Sequence, residues 1–297
     1  MAITQDSSAP LVVVVGATGN QGGSVVKALV GSDKAYRVRA LTRDPSKPAA
    51  QAMAALGVEV VQANLVVENR TGLVTNFFEH LDAARELAEG KLFIDAAKAA
   101  GARGIVWSGY ASPTKVSNGK YPNIVHWESK AAVTQYGRES GVPFVDVQCG
   151  SYGSNFVQPP FAPVKEEGNV YVLKWPVGKE TPVAFIDVGS SDYGLFVRHV
   201  LEMERFPDGE EFVANAEVIT VTEMAEQWSK GTGKSITLKP ISVEAFKQGL
   251  EPLKLPPLLM ALFPEFGLPS GPIPPGVGPL RKWADFVKDE DWSKILA

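Results

Sequence analysis

The run Leu11-Val12-Val13-Val14-Val15-Gly16-Ala17-Thr18-Gly19-Asn20-Gln21-Gly22 decides how the rest of the chain is read. Five consecutive apolar residues, 11–15, suit a strand covered on both faces. Three glycines follow in the spacing G-x-x-G-x-x-G, and residues 24–30 then carry Val25, Val26, Ala28 and Leu29 at helical spacing before Gly31. Strand, glycine turn and helix together form the arrangement in which free backbone N–H groups and the helix dipole hold a pyrophosphate. In that arrangement Gly16 makes the tight turn, Gly19 admits the phosphates to the backbone, and Gly22 lets the helix pack close to the strand. Glycines at this spacing without the flanking strand and helix would mark no more than a turn.

Outward from this loop the same alternation continues. Strands are predicted over 37–42, 58–62, 104–108 and 144–148, and helices over 48–56, 77–100 and 128–139. This pattern implies βαβ units wound right-handedly into a doubly wound parallel sheet of the Rossmann type, an α/β fold. One connection is odd. Between the strand ending near Leu65 and the apolar pair Leu73–Val74 there is barely room for a crossover helix, so residues 66–72 are either an unusually short link or a place where residues are missing.

The second half is less regular. Short strands are expected at 171–175 and 211–214 and helices at 191–203 and 221–230. Thr222 is expected to cap the second of these helices, and Asp187 and Asp192 the first. Residues 252–279 hold nine of the 22 prolines, interleaved with large apolar side chains, and read as an irregular wall or lid. The expected division is a dinucleotide-binding domain over 1–156, its sheet completed by parts of 183–217, and a smaller, interleaved α+β domain over 157–297 for substrate or partner.

Composition narrows the function. An apolar fraction of 45% with 21% charged residues is ordinary for a globular chain and excludes collagen, coiled coil and global disorder. A net charge of −4 argues against a protein whose main task is gripping nucleic acid. A single cysteine, Cys149, leaves no intrachain disulfide and points to a reducing compartment. Neither a secretory signal nor an apolar run of membrane length is read, so the expected location is the cytoplasm, with the nucleus left open. His80 and His199 stand singly, with no Cys or His at ligand spacing, so no metal is expected.

The choice of dinucleotide falls at the end of the second strand, in Leu41-Thr42-Arg43-Asp44 with Lys47 behind it. Arg43 suits a 2′-phosphate and the adenine face, and Lys47 adds charge. Asp44 is the competing signal, since an acidic residue there would face the ribose of NAD. NADP(H) is the expected cofactor, ahead of NAD(H).

The segments VVVVGATGNQGGSVVKAL (12–29), ALTRDP (40–45), VTNFFE (74–79) and YGSNF (152–156), with the closing pattern around 263–267 and 280–292, resemble the NmrA-like branch of the atypical short-chain dehydrogenase/reductases. The resemblance implies NADP(H) held through Gly16, Thr18, Gly19, Asn20, Gln21 and Gly22, with Arg43 and Lys47 at the 2′-phosphate. It further implies cofactor contacts from Thr75 and Asn76 and a lysine near the nicotinamide at Lys130. Members of the branch divide into redox sensors or transcriptional co-regulators, which bind the dinucleotide without turning it over, and NADPH-dependent reductases of quinones, aromatic ethers or related carbonyl compounds.

A standard short-chain dehydrogenase places a Tyr four residues before the Lys on one helix face. Here that position is His126. His126 is either a general acid or a structural residue beside Trp127, and Ser108, at a strand end, is positioned to orient substrate. Lys130, His126 and Ser108 are therefore the candidate catalytic set. Tyr110 is an alternative proton donor, and Tyr152 and Asn155, just past a strand end, are candidate nicotinamide contacts. Because the Tyr is missing, the expected function is a regulator that reads the NADPH/NADP+ state and passes it to a protein partner. A reductase acting on a small aromatic or quinone substrate through Lys130 is the alternative.

Overall fold

The computed structural model describes residues 2–63, 82–122, 124–250 and 270–297. The opening apolar run forms β1 (Leu11–Val14), followed by α1 (Asn20–Val30), β2 (Arg37–Thr42), α2 (Pro48–Ala55) and β3 (Glu59–Gln62). Then come α3 (Ala83–Ala99), β4 (Ile105–Trp107), α4 (Val125–Glu139) and β5 (Phe144–Cys149). β2 pairs in parallel with β1 and β3, and β5 pairs in parallel with β4 and β10 (Glu211–Ala214). Among the described residues these are two separate three-stranded ladders.

Strand alternation sorts β5 between two cores. Val145, Val147 and Cys149 pack with Val26, Leu29, Phe196 and Val200, beneath α1 and α5 (Asp192–Glu202). Phe144 packs with Ile94, Ile105, Trp107 and Val133, beneath α3 and α4. Helices on both faces of parallel strands make the expected doubly wound fold.

β5 and β10 run on into a second sheet. Their continuations β6 (Ser151–Tyr152) and β11 (Glu217–Thr220) flank β9 (Pro182–Ile186). A third sheet joins β7 (Val164–Lys165), β8 (Val170–Leu173) and β12 (Ser235–Leu238). These pack with α6 (Val221–Thr232), α7 (Val243–Leu250) and α8 (Trp283–Asp289) around a core of Tyr171, Phe185, Trp228 and Trp283. Trp228 and Trp283 meet edge to face, with ring centroids 5.1 Å apart, a geometry that aromatic quadrupoles favour.

Three local expectations need correction. The cap of α6 is Thr220, not Thr222: Thr220 Oγ1 accepts from Glu223 N at 3.1 Å and Thr220 N donates to Glu223 Oε2 at 2.8 Å, a reciprocal capping box. Thr222 Oγ1 instead donates to the Lys179 carbonyl. Asp187 and Asp192 do not cap α5, whose N-cap Ser191 makes no side-chain cap bond. They hold Arg281: Asp192 Oδ2 accepts from Arg281 N at 2.9 Å, and Asp187 Oδ2 from its guanidinium at 2.7 Å. Helix α4 begins at Val125, a turn earlier than expected, which brings His126 into it.

Candidate functional site

The glycine loop leaves β1 and enters α1 directly. Gly16 adopts φ +61°, and Gly19 N donates to Gly16 O at 2.8 Å, closing the turn. A Cβ on Gly22 would lie 2.4 Å from Gly16 O and 2.7 Å from its carbonyl carbon, closer than any side chain is tolerated, so only glycine fits there. The N-cap Gly19 supplies no side-chain oxygen, and the first turn of α1 carries no acidic residue. The first amides of this helix therefore have no side-chain acceptor at the cap and present a positive end without a carboxylate beside it. This cradle fits a diphosphate. Thr18 Oγ1 lies 3.3 Å from Thr42 Oγ1 and ties the loop to the end of β2.

Arg43 follows β2 directly, and Lys47 is the N-cap residue of α2. Asp44 is engaged in its own turn: its Oδ1 accepts from Ser46 N at 2.9 Å and Ser46 Oγ at 2.5 Å, bonds that hold its carboxyl below the usual carboxylate range. Thr75 and Asn76, the short link at 66–72 and His80 lie outside the described residues.

A cavity of about 1720 Å³ runs between the β1 and β4 ladders, from Pro10, Leu11 and Gly104 at the amino ends of these strands to the glycine loop and Ser108 at their carboxyl ends. Gly16, Gly19, Asn20, Gln21 and Gly22 line one end, and Ser108, Tyr110, His126, Lys130, Tyr152 and Asn155 lie along it. The far wall is aromatic. Tyr110 stacks on Trp127 with ring centroids 4.5 Å apart and planes 2° from parallel, and Phe156, Phe161 and Trp175 continue the lining.

The two ends are linked through Gln21, whose Nε2 donates to Ser108 Oγ at 2.9 Å. Lys130 Nζ donates to Glu86, a cavity residue on α3 that is only 4% exposed, and Ser129 Oγ donates to the same carboxylate. Glu86 is absent from the expected set, because nothing local in the sequence pairs it with a lysine 44 positions away. His126 is buried, and that burial together with the charge of Lys130 pushes its pKa down to about 3. Its imidazole is neutral at physiological pH. Burial also raises the Tyr110 and Tyr152 phenols well above their ordinary value and the Cys149 thiol to about 12, so none of the three is ionised near neutrality. The described residues contain no His/Cys/Asp/Glu cluster able to hold a metal, and none of their helices is long and apolar enough to cross a membrane.

Parallel ladders with helices on both faces and the glycine cradle at the β1–α1 turn make a doubly wound α/β protein of the Rossmann type. The NmrA-like family pattern matches residues 8–268, and the chain belongs to that family. It is 32% identical over 275 residues to the NmrA-like family domain-containing oxidoreductase ptmS of Penicillium ochrochloron, covering 82% of this chain and 81% of that one. Among solved structures it is similar to the negative transcriptional regulator NmrA in complex with NAD, with a TM-score of 0.72 and 19% identity over 96% of this chain and 99% of that one. It is also similar to the Citrobacter triphenylmethane reductase complexed with NADP(H), with a TM-score of 0.70 and 20% identity over 94% and 99%.

Proposed function

We propose that the chain is an NADPH-dependent reductase of a flat, uncharged aromatic or quinone-type substrate. The observation that carries this reading is the aromatic-walled chamber that continues from the glycine cradle past Ser108 and Lys130. A regulator needs no such space beside its dinucleotide, which is why the order expected from the sequence is reversed here. The relatives named as oxidoreductases support the same direction.

The dinucleotide, when bound, would supply a hydride, and the two-electron reduction of a quinone to a hydroquinone then consumes one proton. The cradle of residues 16–22 anchors the diphosphate, and Gln21 holds Ser108 at the border between cofactor and substrate. Tyr110 and Trp127 offer a plane on which an aromatic ring stacks. Lys130, kept in place by Glu86, donates a proton to the oxygen that gains charge. The neutral imidazole of His126 serves the wall rather than acid catalysis.

NADPH consumption followed at 340 nm across a quinone panel tests the assignment. Loss above the buffer rate with formation of one hydroquinone per NADPH is expected. The second reading, a cofactor-sensing regulator, draws on the neutral histidine standing where a tyrosine donor would be. No consumption with any acceptor, together with at least tenfold different affinities for NADPH and NADP+, would transfer the assignment to it.

We read the cofactor as NADP(H): the engagement of Asp44 Oδ1 by Ser46 and the place of Arg43 at the end of β2 support it over NAD(H). Arg43→Ala is expected to weaken NADPH roughly tenfold to a hundredfold, the worth of a charge-assisted contact, and to weaken NADH far less, through the adenine face alone. Equal losses for both dinucleotides in a titration would remove the 2′-phosphate role.

A further inference from the structure

Asp146 stands in the middle of β5, where strand alternation places its side chain with Phe144 on the face under α3 and α4. It is 1% exposed, in a position where an apolar residue would be expected. Its two carboxylate oxygens reach the two elements that carry the candidate site. Oδ1 accepts from Gly109 N at 2.7 Å, in the loop that holds Ser108 and Tyr110. Oδ2 accepts from Thr134 Oγ1 at 3.1 Å, one turn beyond Lys130 on α4. The fit is tight on the loop side, since a Cβ on Gly109 would lie 2.6 Å from both Asp146 Oδ2 and Thr134 Oγ1. We propose that Asp146 is a positioning residue that fastens the Ser108–Tyr110 loop to the helix bearing Lys130, and so fixes the distance between the cofactor border and the proton source.

A purely structural role would be an odd use of a carboxylate here. Burial raises the Asp146 pKa to about 6 against 3.8, even though the bonds from Gly109 and Thr134 act to lower it. The folded protein thus binds this proton more tightly than the unfolded chain, so this group's contribution to stability is greatest below about pH 4 and is lost as pH rises through about 6. The charged groups facing it are Glu211 on β10, which opposes its ionisation, and Arg138 on α4, which favours it. These two pair with each other at 2.5 Å. Gln148 Nε2 lies 3.5 Å from Asp146 Oδ2, and the neutral phenols of Tyr110 and Tyr193 also feel the carboxylate. The ionised form is kept at the expense of stability, as expected of a group retained for the geometry it imposes.

The inference deepens the reductase reading, but its decisive readout needs no turnover. In the full chain, the Gly109 amide resonance is expected to shift between pH 5 and 8 with a midpoint near 6, and not to shift in Asp146→Asn. In Asp146→Val, hydrogen exchange at Gly109 and Tyr110 should quicken at least tenfold, while the other amides of α4 keep their protection. The melting temperature of Asp146→Asn relative to the wild type should move in the variant's favour from pH 5 to pH 7.5. With an accepted substrate, kcat of Asp146→Val should fall at least tenfold while the Kd for NADPH stays within threefold, and Asp146→Asn, whose amide still reaches Gly109 N and Thr134 Oγ1, should keep most of the wild-type kcat. If the valine variant does not fold, the asparagine variant carries the test. A Gly109 amide that is flat with pH in the wild type, or a folded valine variant whose kcat keeps its wild-type value, would overturn the proposal. Failure of the reductase reading would show separately, as absence of wild-type turnover.

Discussion

Gly22→Ala is expected to weaken NADPH by about 100-fold or more, ~2.7 kcal/mol, while leaving the fold intact. The added methyl would sit 2.4 Å from Gly16 O, and both atoms belong to backbone that cannot rotate out of the way as a side chain can. Either the first turn of α1 lifts from the loop or the turn at Gly16 opens, and each movement pulls amides away from the diphosphate. Neighbouring glycines provide an internal scale. A Cβ on Gly19 would meet Gly16 O at 3.2 Å, so Gly19→Ala requires a shift of only a few tenths of an ångström and should disturb the loop less than Gly22→Ala, its effect on NADPH coming instead from a methyl on the face that admits the phosphates. Gly16 has open space around it but φ +61°, so Gly16→Ala is opposed by backbone strain of ~1–2 kcal/mol rather than by a clash. Fluorescence titration of the three variants, with melting temperatures measured alongside, checks the ranking. A Kd for Gly22→Ala within threefold of the wild type would mean that the diphosphate is held elsewhere.

The roles of the three glycines are legible in the sequence because everything in the loop is local. Strand, turn and helix follow within 20 residues, from Leu11 to Val30, and the glycine spacing specifies both the turn and the close approach. β2 and β10 are likewise found where their residue patterns place them, at Arg37–Thr42 and Glu211–Ala214. The miss at Thr220 was also local. Thr220-Val221-Thr222-Glu223 contains the reciprocal cap only if Glu223 is counted as the third helical residue, which selects Thr220 over Thr222.

The remaining errors share a different cause. Asp187 and Asp192 look like helix caps from their neighbours, yet their partner Arg281 lies 94 and 89 residues away. Glu86 and Lys130 meet across two helices, and Asp146 reaches Gly109 across 37 positions. No periodicity encodes such pairs. A carboxylate between Val145 and Val147 in the middle of a buried strand is a visible irregularity, but what it binds is set by the packing of β4, β5 and α4. The features that separate a regulator from a reductase are split in the same way between local and distant residues. The sequence exposes the missing tyrosine four positions before Lys130, whereas the chamber is assembled from residues as distant as Tyr110 and Trp175.

Lys130→Met should reduce kcat by about 100-fold or more, the usual scale for removing a positioned proton donor. The single variant confounds two effects, because the Glu86 side chain is 3% exposed and would lose its cationic partner. An uncompensated buried charge costs ~3–5 kcal/mol, so lower turnover alone could reflect partial unfolding. The double variant Lys130→Met/Glu86→Gln separates them: the glutamine still accepts from Ser129 and carries no charge to bury. Its melting temperature should return to within a few degrees of the wild type while kcat remains low. The complementary single variant, Glu86→Gln, leaves the ammonium in place with one strong acceptor removed, and a smaller loss of about tenfold is expected if the carboxylate chiefly orients the lysine. Turnover measured at saturating NADPH keeps any weakening of cofactor affinity out of the comparison. Recovery of wild-type kcat in the double variant would show that the proton comes from elsewhere in the chamber, and Tyr110 would be the next group to replace.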